Sequence, residues 1–237
     1  MYDYQLNLGM IREAATKLGE LSRDFVFVGG STIALYVDSD SVILSDIRPT
    51  TDVDVVTEIS SHLEQHELEK KLMKRNFSQA FNRSDDPICR WRNGELIVDV
   101  MPLDERILGF SNRWYREGFS VKERRQIEEI EVFIMPAPLI LCTKIDAKKS
   151  RGDSNWLFCK DTGDIASIVV GRKSLTDEIR KSGANIVEYL QNELVPIMKT
   201  EQFDDVIASL IPQDKLYKTR LLSAVDLKNK LVESISQ

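Results

Sequence analysis

The sequence predicts an α+β fold in which a mixed-sheet core is followed by a helical C-terminal domain. Patterns typical of strands lie between residues 24 and 135, whereas patterns typical of helices follow Pro138. Strands followed by a run of helices are typical of α+β proteins. We therefore expect two domains, a core at residues 1–136 and a helical domain at residues 137–237.

Apolar residues recur at helical spacing in the first twenty positions, and Gly19 provides a stop signal. Ser31 is placed to cap the short apolar helix that follows the first strand. The elements predicted up to residue 74 are helices at 5–20, 32–37 and 60–74 and strands at 24–28 and 52–57.

Asn93-Gly94 is a strong hairpin signal between two apolar arms, and the second arm carries Asp99 between two valines. An edge strand ends at Pro136. The remaining predicted elements are strands at 76–82, 89–92, 95–101 and 131–135, and helices at 139–149, 161–170, 175–180, 186–199, 203–210 and 215–234.

The composition is that of an ordinary globular protein, with 42% hydrophobic and 30% charged residues. A net charge of −6 does not indicate a generally basic nucleic-acid binder, although local basic patches are compatible with it. No apolar run is long enough for a bilayer, and the first ten residues lack the pattern of an export signal. The three cysteines form no C-x-x-C pair, so we expect a reduced, cytoplasmic protein without membrane association.

Asp52 and Asp54 give the sharpest functional signal. Side chains alternate across a strand, so both carboxylates point to the same face and repel each other unless a cation lies between them. Mg²⁺ is the usual ion where oxygen ligands must also hold a phosphate. The pattern predicts a metal site to which Asp99 would add a third acid. The alternative is a pair of exposed aspartates at a strand end.

The Gly29-Gly30-Ser31 turn would supply the complementary part of such a site. Glycine lets the backbone approach a ligand closely, and the N–H groups that follow Ser31 favour an anion. The acids and the turn together suit a nucleoside triphosphate with its metal.

Further along, Lys144, Lys148 and Arg151 form one basic stripe of a helix, and Asp161 and Asp164 open the next helix. The alternatives are a solvated face for the bases and favourable placement at the helix N-terminus for the acids. Basic clusters that include Arg90, Arg92 and residues 113–125 could bind RNA. Trp91, Trp114 and Tyr115 would then stack on bases, the alternative being scattered surface charge.

The order of these motifs resembles the DNA polymerase β-type nucleotidyltransferase superfamily. FVGGSTIALY, RPTTDVDVV, KIDAKKSRG and CKDTGDI look more narrowly like the AbiEii-type (MenA-like) nucleotidyltransferase toxins of type IV toxin–antitoxin systems. This resemblance covers about residues 25–170.

The resemblance implies Mg²⁺-dependent transfer of a nucleoside monophosphate from an NTP to an acceptor hydroxyl, with release of pyrophosphate. It also implies a toxin that acts on the 3′ end of tRNA and a separately encoded antitoxin partner. The implied roles are metal binding by Asp52 and Asp54 with Asp99 as third acid, nucleotide binding by Gly29, Gly30, Ser31, Lys144 and Arg151, and completion of the catalytic site by Asp161 or, alternatively, Asp164.

Two other functions stay open from the sequence. A small-molecule nucleotidyltransferase, similar to those that modify aminoglycosides, would share the core but needs an acidic acceptor pocket. A non-catalytic nucleotide-binding module would bind NTP without turnover.

Overall fold

The computed structural model describes residues 4–41, 43–44, 47–79, 86–152 and 159–236. The chain divides into two compact units. The sheet unit consists of Gln5–Thr32 and Pro49–Pro136. The helical unit consists of Tyr4 and of the described residues within Ile33–Arg48 and Ala137–Gln237. The division into domains 1–136 and 137–237 stays a prediction.

The sheet unit contains a mixed sheet, which confirms the predicted α+β class. The elements in chain order are α1 (Tyr4–Leu18), β1 (Phe25–Val28), β2 (Val53–Thr57), α2 (His62–Lys74), β3 (Ser78–Gln79), β4 (Arg90–Asn93), β5 (Leu96–Pro102), α3 (Glu105–Leu108), α4 (Tyr115–Ser120), β6 (Glu123–Ile127) and β7 (Ile130–Ile134). In the described residues the strand order is β3-β4-β5-β2-β1-β7-β6. β2 runs parallel to β5 and antiparallel to β1.

The central strands are buried on both faces, which explains their nearly continuous apolar sequences. All four residues of β1 are buried, and so are the valines of β2 and β5. Asp54 and Asp99 interrupt this apolar pattern in neighbouring strands. A carboxylate in such a setting is costly unless it is paired, so these two positions mark a site with a purpose beyond packing.

The predicted hairpin is present and sets the register of β4 and β5. Asn93 pairs with Leu96, and Gly94 adopts a left-handed φ of 64° that glycine tolerates without strain. Counting back from this turn places Arg90 directly opposite Asp99. The strand predicted at 76–82 is present only as β3, which covers two residues. Positions 80–82 lie outside the described residues.

The helical unit is built on α5, whose first nine residues are all buried. Its helices are α5 (Ala137–Arg151), α6 (Lys160–Gly171), α7 (Leu175–Arg180), α8 (Ala184–Met198), α9 (Glu201–Leu210) and α10 (Tyr217–Ile235). None of the helices in the described ranges has the length and apolar character that a membrane crossing requires.

The segment Ile33–Arg48 packs on the C-terminal end of α6. The Asp38 N–H donates to the Gly171 carbonyl at 2.8 Å. A Cβ at Gly171 would lie 2.9 Å from Val37 and 3.0 Å from Ile43, so a larger residue there would push this segment away. The helix predicted at 32–37 is a 3-10 helix over Gly30–Leu35.

Candidate active site

The three predicted acids of the sheet unit lie on one face of the sheet. Asp54 is the parallel partner of Asp99 in β5 and the antiparallel partner of Val28 in β1. Neighbouring strands are about 4.8 Å apart, so the two aspartates are adjacent across the strands. Asp52 precedes β2 and, two residues before Asp54, shares its face. Alternation within one strand could not show which way Asp99 points. The parallel pairing of β2 with β5 shows that it faces the other two acids.

Gly29 brings the backbone directly against the Asp54 carboxylate. Its φ of 76° lies in the left-handed region, and a Cβ at this position would overlap the carboxylate of Asp54. Glycine is therefore required here both by its conformation and by the space available. The close approach of the turn to a ligand stays a prediction, and the group that Gly29 approaches in this structure is the Asp54 carboxylate.

The hydroxyl that closes the turn comes from Thr32, since its Oγ1 donates to the Gly29 carbonyl at 2.9 Å. Ser31, expected to cap a helix, is fully buried, and its Oγ has no hydrogen-bond partner among the residues that the structure describes. A buried hydroxyl without a partner costs about 1–3 kcal/mol. Such a cost is commonly tolerated where a ligand or an ion completes the bonding.

Arg90 joins two of the acids, a role that the sequence analysis did not assign to it. Its Nε donates to Asp99 Oδ1 at 2.9 Å, and its Nη2 donates to Asp99 Oδ2 at 2.8 Å. The same Nη2 contacts Asp52 Oδ2 at 3.0 Å. The hairpin register held the signal, because pairing from Asn93-Gly94 outward puts Arg90 opposite Asp99.

Arg90 and Arg92 were both predicted as part of an RNA-binding surface, and the structure gives them acidic partners instead. Both guanidinium groups also contact Asp86, at 3.4 Å from Arg90 and 3.2 Å from Arg92. We call the whole group the sheet-unit cluster: Asp52, Asp54, Asp86, Arg90, Arg92 and Asp99.

The acids shift the titration of their neighbours. The hydrogen bonds that Arg90 donates to Asp99 raise the pKa of the Arg90 guanidinium above its ordinary value, and the charges of Asp99 and Asp52 add to the effect. Burial raises the pKa of the Cys89 thiol to about 12, with the Asp99 charge as a further cause. Cys89 therefore stays a thiol at neutral pH and is a poor nucleophile.

No three acidic, histidine or cysteine side chains in the described part of the chain surround a common point closely enough to enclose a metal ion. Arg90 explains this for Asp52 and Asp99, because its guanidinium lies between them. The donor chemistry is nevertheless that of a hard cation, with carboxylate oxygens on one face beside the buried Ser31 hydroxyl.

In the helical unit, Lys144 lies in a buried salt-bridge cluster with Asp161 and Asp164. Lys144 Nζ is 2.7 Å from Asp164 Oδ2 and 3.4 Å from Asp161 Oδ1. Arg48 Nη2 contacts Asp164 at 2.9 Å, and Arg151 pairs with Asp161. These five residues are the helical-unit cluster. Neither acid is the N-cap of α6, because that position belongs to Cys159 and no side chain caps the helix there.

The aromatic residues proposed to stack on RNA bases are mostly inaccessible. Trp91 is 1% exposed and Trp114 is 7% exposed. Both indole rings are buried inside the protein, so the prediction that they stack on bases is wrong. Tyr115 is half-buried, with its hydroxyl 3.7 Å from the Met101 sulfur.

Comparisons with known proteins establish the fold. No protein-family model matches the chain, and no curated protein matches it. One solved structure that matches is an antigenic nucleotidyltransferase-like protein from Paracoccidioides brasiliensis, with a TM-score of 0.52 and 17% identity over 94% of each chain. The chain therefore has a nucleotidyltransferase-like fold, which confirms that part of the sequence-based prediction.

Proposed function

We propose that this protein is a nucleotidyltransferase that moves a nucleoside monophosphate from an NTP to an acceptor hydroxyl and releases pyrophosphate. The observation that supports it most strongly is the placement of Asp52, Asp54 and Asp99 on one face of the sheet beside the Gly29 bend. The nucleotidyltransferase-like fold of the solved structure agrees with this chemistry.

Asp52 and Asp54 would hold Mg²⁺, as their shared face and oxygen donors suit that ion. When bound, the ion would lower the pKa of the attacking hydroxyl and stabilise the charge that develops on the phosphate. The protein's own part is to place the phosphates. The backbone at Gly29 and Gly30 would contact them, and the Ser31 hydroxyl would gain the partner that it lacks.

Lys144, Arg151 and Asp161 stay predictions as contributors to catalysis or nucleotide binding. Their assignment rests on the resemblance to AbiEii-type toxins, which supports phosphate contacts for the two bases. Within the helical unit they are paired with one another and with Asp164. The salt bridges alone account for the burial of Lys144 and Asp161, whereas Arg151 is exposed.

For the acceptor, the same resemblance supports the 3′ end of tRNA and a toxin that a separate antitoxin protein neutralises. A small-molecule acceptor is the second candidate. The acidic excess of the sheet-unit cluster would suit a cationic acceptor, a feature that the aminoglycoside-modifying enzymes need.

The test is incubation of the full chain with each labelled NTP, Mg²⁺ and either total RNA or aminoglycosides. We expect label in RNA for one NTP, and Asp54→Ala should lower the rate at least about 100-fold. Glu58→Ala is the matched control, because this exposed acid directly follows β2. Absence of transfer with every NTP and acceptor by a folded protein would refute the proposal. NTP binding that survives without transfer would indicate a non-catalytic module.

A further inference from the structure

Arg90 is held in place by the backbone as well as by its charge. It pairs with Asp99 across β4 and β5, and cross-strand partners have Cβ atoms about 4.5–5.5 Å apart on the same face. From that position the guanidinium reaches both Asp99 oxygens and one oxygen of Asp52. Its location follows from the hairpin register and does not depend on a chance surface contact.

The pairing of Arg90 with Asp99 has the features of a strong interaction. The fork of Nε and Nη2 meets both carboxylate oxygens in parallel, the geometry in which charged hydrogen bonds are strongest. The side chains are 19% exposed for Arg90 and 9% for Asp99, so water screens the pair little. Asp99 therefore has both of its oxygens committed.

A divalent ion between Asp52 and Asp99 would need the space that the guanidinium fills. Such an ion bound to Asp99 would also lie within hydrogen-bond reach of a fixed positive charge, which repels it. Asp52 meets Arg90 through Oδ2 alone, so its Oδ1 takes no part in this contact. The acid pair that remains suitable for metal binding is Asp52 with Asp54.

We propose that Arg90 is a resident cation that takes the place of a second metal ion, so that the sheet-unit cluster binds a single divalent ion at Asp52 and Asp54. This inference rests on the proposed nucleotidyl transfer and changes the predicted role of Asp99. Asp99 holds Arg90 and does not ligate metal. The guanidinium then supplies a fixed positive charge beside the reacting phosphate without the need to recruit an ion.

The experiment counts Mn²⁺ ions bound by the full-length chain in the absence of nucleotide, by electron paramagnetic resonance of the free ion. We expect one ion per chain for the wild type. Arg90→Gln removes the guanidinium and frees the oxygens of Asp99, so it should bind a second ion and bind the first at least about tenfold more tightly. Arg90→Gln combined with Asp99→Asn should return to one ion.

Arg125→Gln is the matched control. Arg125 is a half-buried arginine of β6 in the same sheet, and it pairs with Glu123 at 2.8 Å, outside the sheet-unit cluster. We expect its ion count and affinity to equal those of the wild type. Circular dichroism verifies that each variant is folded before its ions are counted.

Two ions or none in the wild type would overturn the inference without any variant, even if Arg90→Gln failed to fold. A folded Arg90→Gln that still binds one ion at wild-type affinity would overturn it as well. The ion count is independent of turnover. One ion in a protein that transfers no nucleotide would refute the proposed function and leave the single-ion site standing.

Discussion

The sheet-unit cluster and the helical-unit cluster are both built from carboxylates and basic side chains but differ in their charge balance. The sheet-unit cluster has four carboxylates and two guanidinium groups, an excess of two formal negative charges. The helical-unit cluster has two carboxylates that face one ammonium and two guanidinium groups, an excess of one formal positive charge. The first cluster is therefore suited to a further cation, whereas the second is not.

The surroundings of the two clusters also differ, and they too favour ligand binding at the sheet-unit cluster and stability at the helical-unit cluster. Beside the first lie a left-handed glycine, Gly29, and the buried Ser31 hydroxyl, which has no partner in the described part of the chain. In the second, Lys144 and both acids are buried in mutual salt bridges. Mutual salt bridges between buried charges stabilise the fold of the helical unit. The unsatisfied groups beside the sheet-unit cluster are instead available to a ligand. Substitutions in the two clusters should therefore produce different kinds of loss.

The largest effect should be on stability, from Asp164→Ala in the helical-unit cluster. It leaves Lys144 and Arg48 without their shared acid, and breaking a buried pair costs about 3–5 kcal/mol. For a chain of this size the Tm should fall by roughly 10 °C. Calorimetry on Asp164→Ala and on Asp205→Ala, an exposed acid of α9, measures the difference. Equal Tm values for the two variants would contradict a stabilising role for the cluster.

Asp54→Ala should give the second largest effect, on transfer and not on folding. We expect at least about a 100-fold loss of rate, equivalent to about 2.7 kcal/mol, with a Tm close to that of the wild type. Steady-state rates and calorimetry on the same preparation separate the two quantities. A large fall in Tm with an unchanged rate per folded molecule would show that Asp54, like the helical-unit cluster, serves stability and not transfer.

Gly29→Ala should lower stability by about 1–2 kcal/mol through its left-handed φ and should also weaken Mn²⁺ binding several-fold, because the new Cβ displaces Asp54. Gly109→Ala is the matched control. Gly109 has a similar φ of 80°, but an added Cβ meets no atom within 4 Å. Both variants should lose stability through their φ, Gly29→Ala the more of the two because of the overlap with Asp54, and only Gly29→Ala should lose Mn²⁺ affinity. The same affinity loss in both would show that the close approach to Asp54 is irrelevant to metal binding.

Ser31→Ala should have the smallest effect on folding, a gain of up to about 1 kcal/mol, because it removes an unsatisfied buried hydroxyl. The KM for NTP should rise in the same variant if the hydroxyl contacts phosphate. Ser167→Ala should instead lower the free energy of unfolding, because it removes the hydrogen bond that Ser167 Oγ donates to the Gly163 carbonyl at 2.9 Å. Chemical denaturation compares the two, and destabilisation by Ser31→Ala would mean that its hydroxyl has a structural partner.

The acid pair and the fold class could be predicted from the sequence because both depend on local patterns. Alternation puts Asp52 and Asp54 on one face, and the order of strand and helix patterns indicates the α+β class. The contact of Gly29 with Asp54 could not be predicted in the same way. It depends on the antiparallel pairing of β1 with β2 across a connection of more than twenty residues.

Arg90 was within reach of sequence analysis but was assigned to a basic surface by its charge alone. The hairpin register, read outward from Asn93-Gly94, contains the pairing with Asp99. The two buried tryptophans illustrate the opposite limit. Proximity to arginine in sequence suggested base stacking, whereas burial depends on the tertiary packing of the sheet, which no local pattern reports.

The three cysteines, Cys89, Cys142 and Cys159, are all buried, and none of them forms a disulfide. The native chain therefore offers alkylating reagents no accessible thiol while it stays folded. A single cysteine introduced at the exposed Glu58 would be a selective attachment point for a nitroxide or a fluorophore. Labelled in this way, the protein could report the arrival of paramagnetic manganese through relaxation of the probe, without replacement of any native thiol.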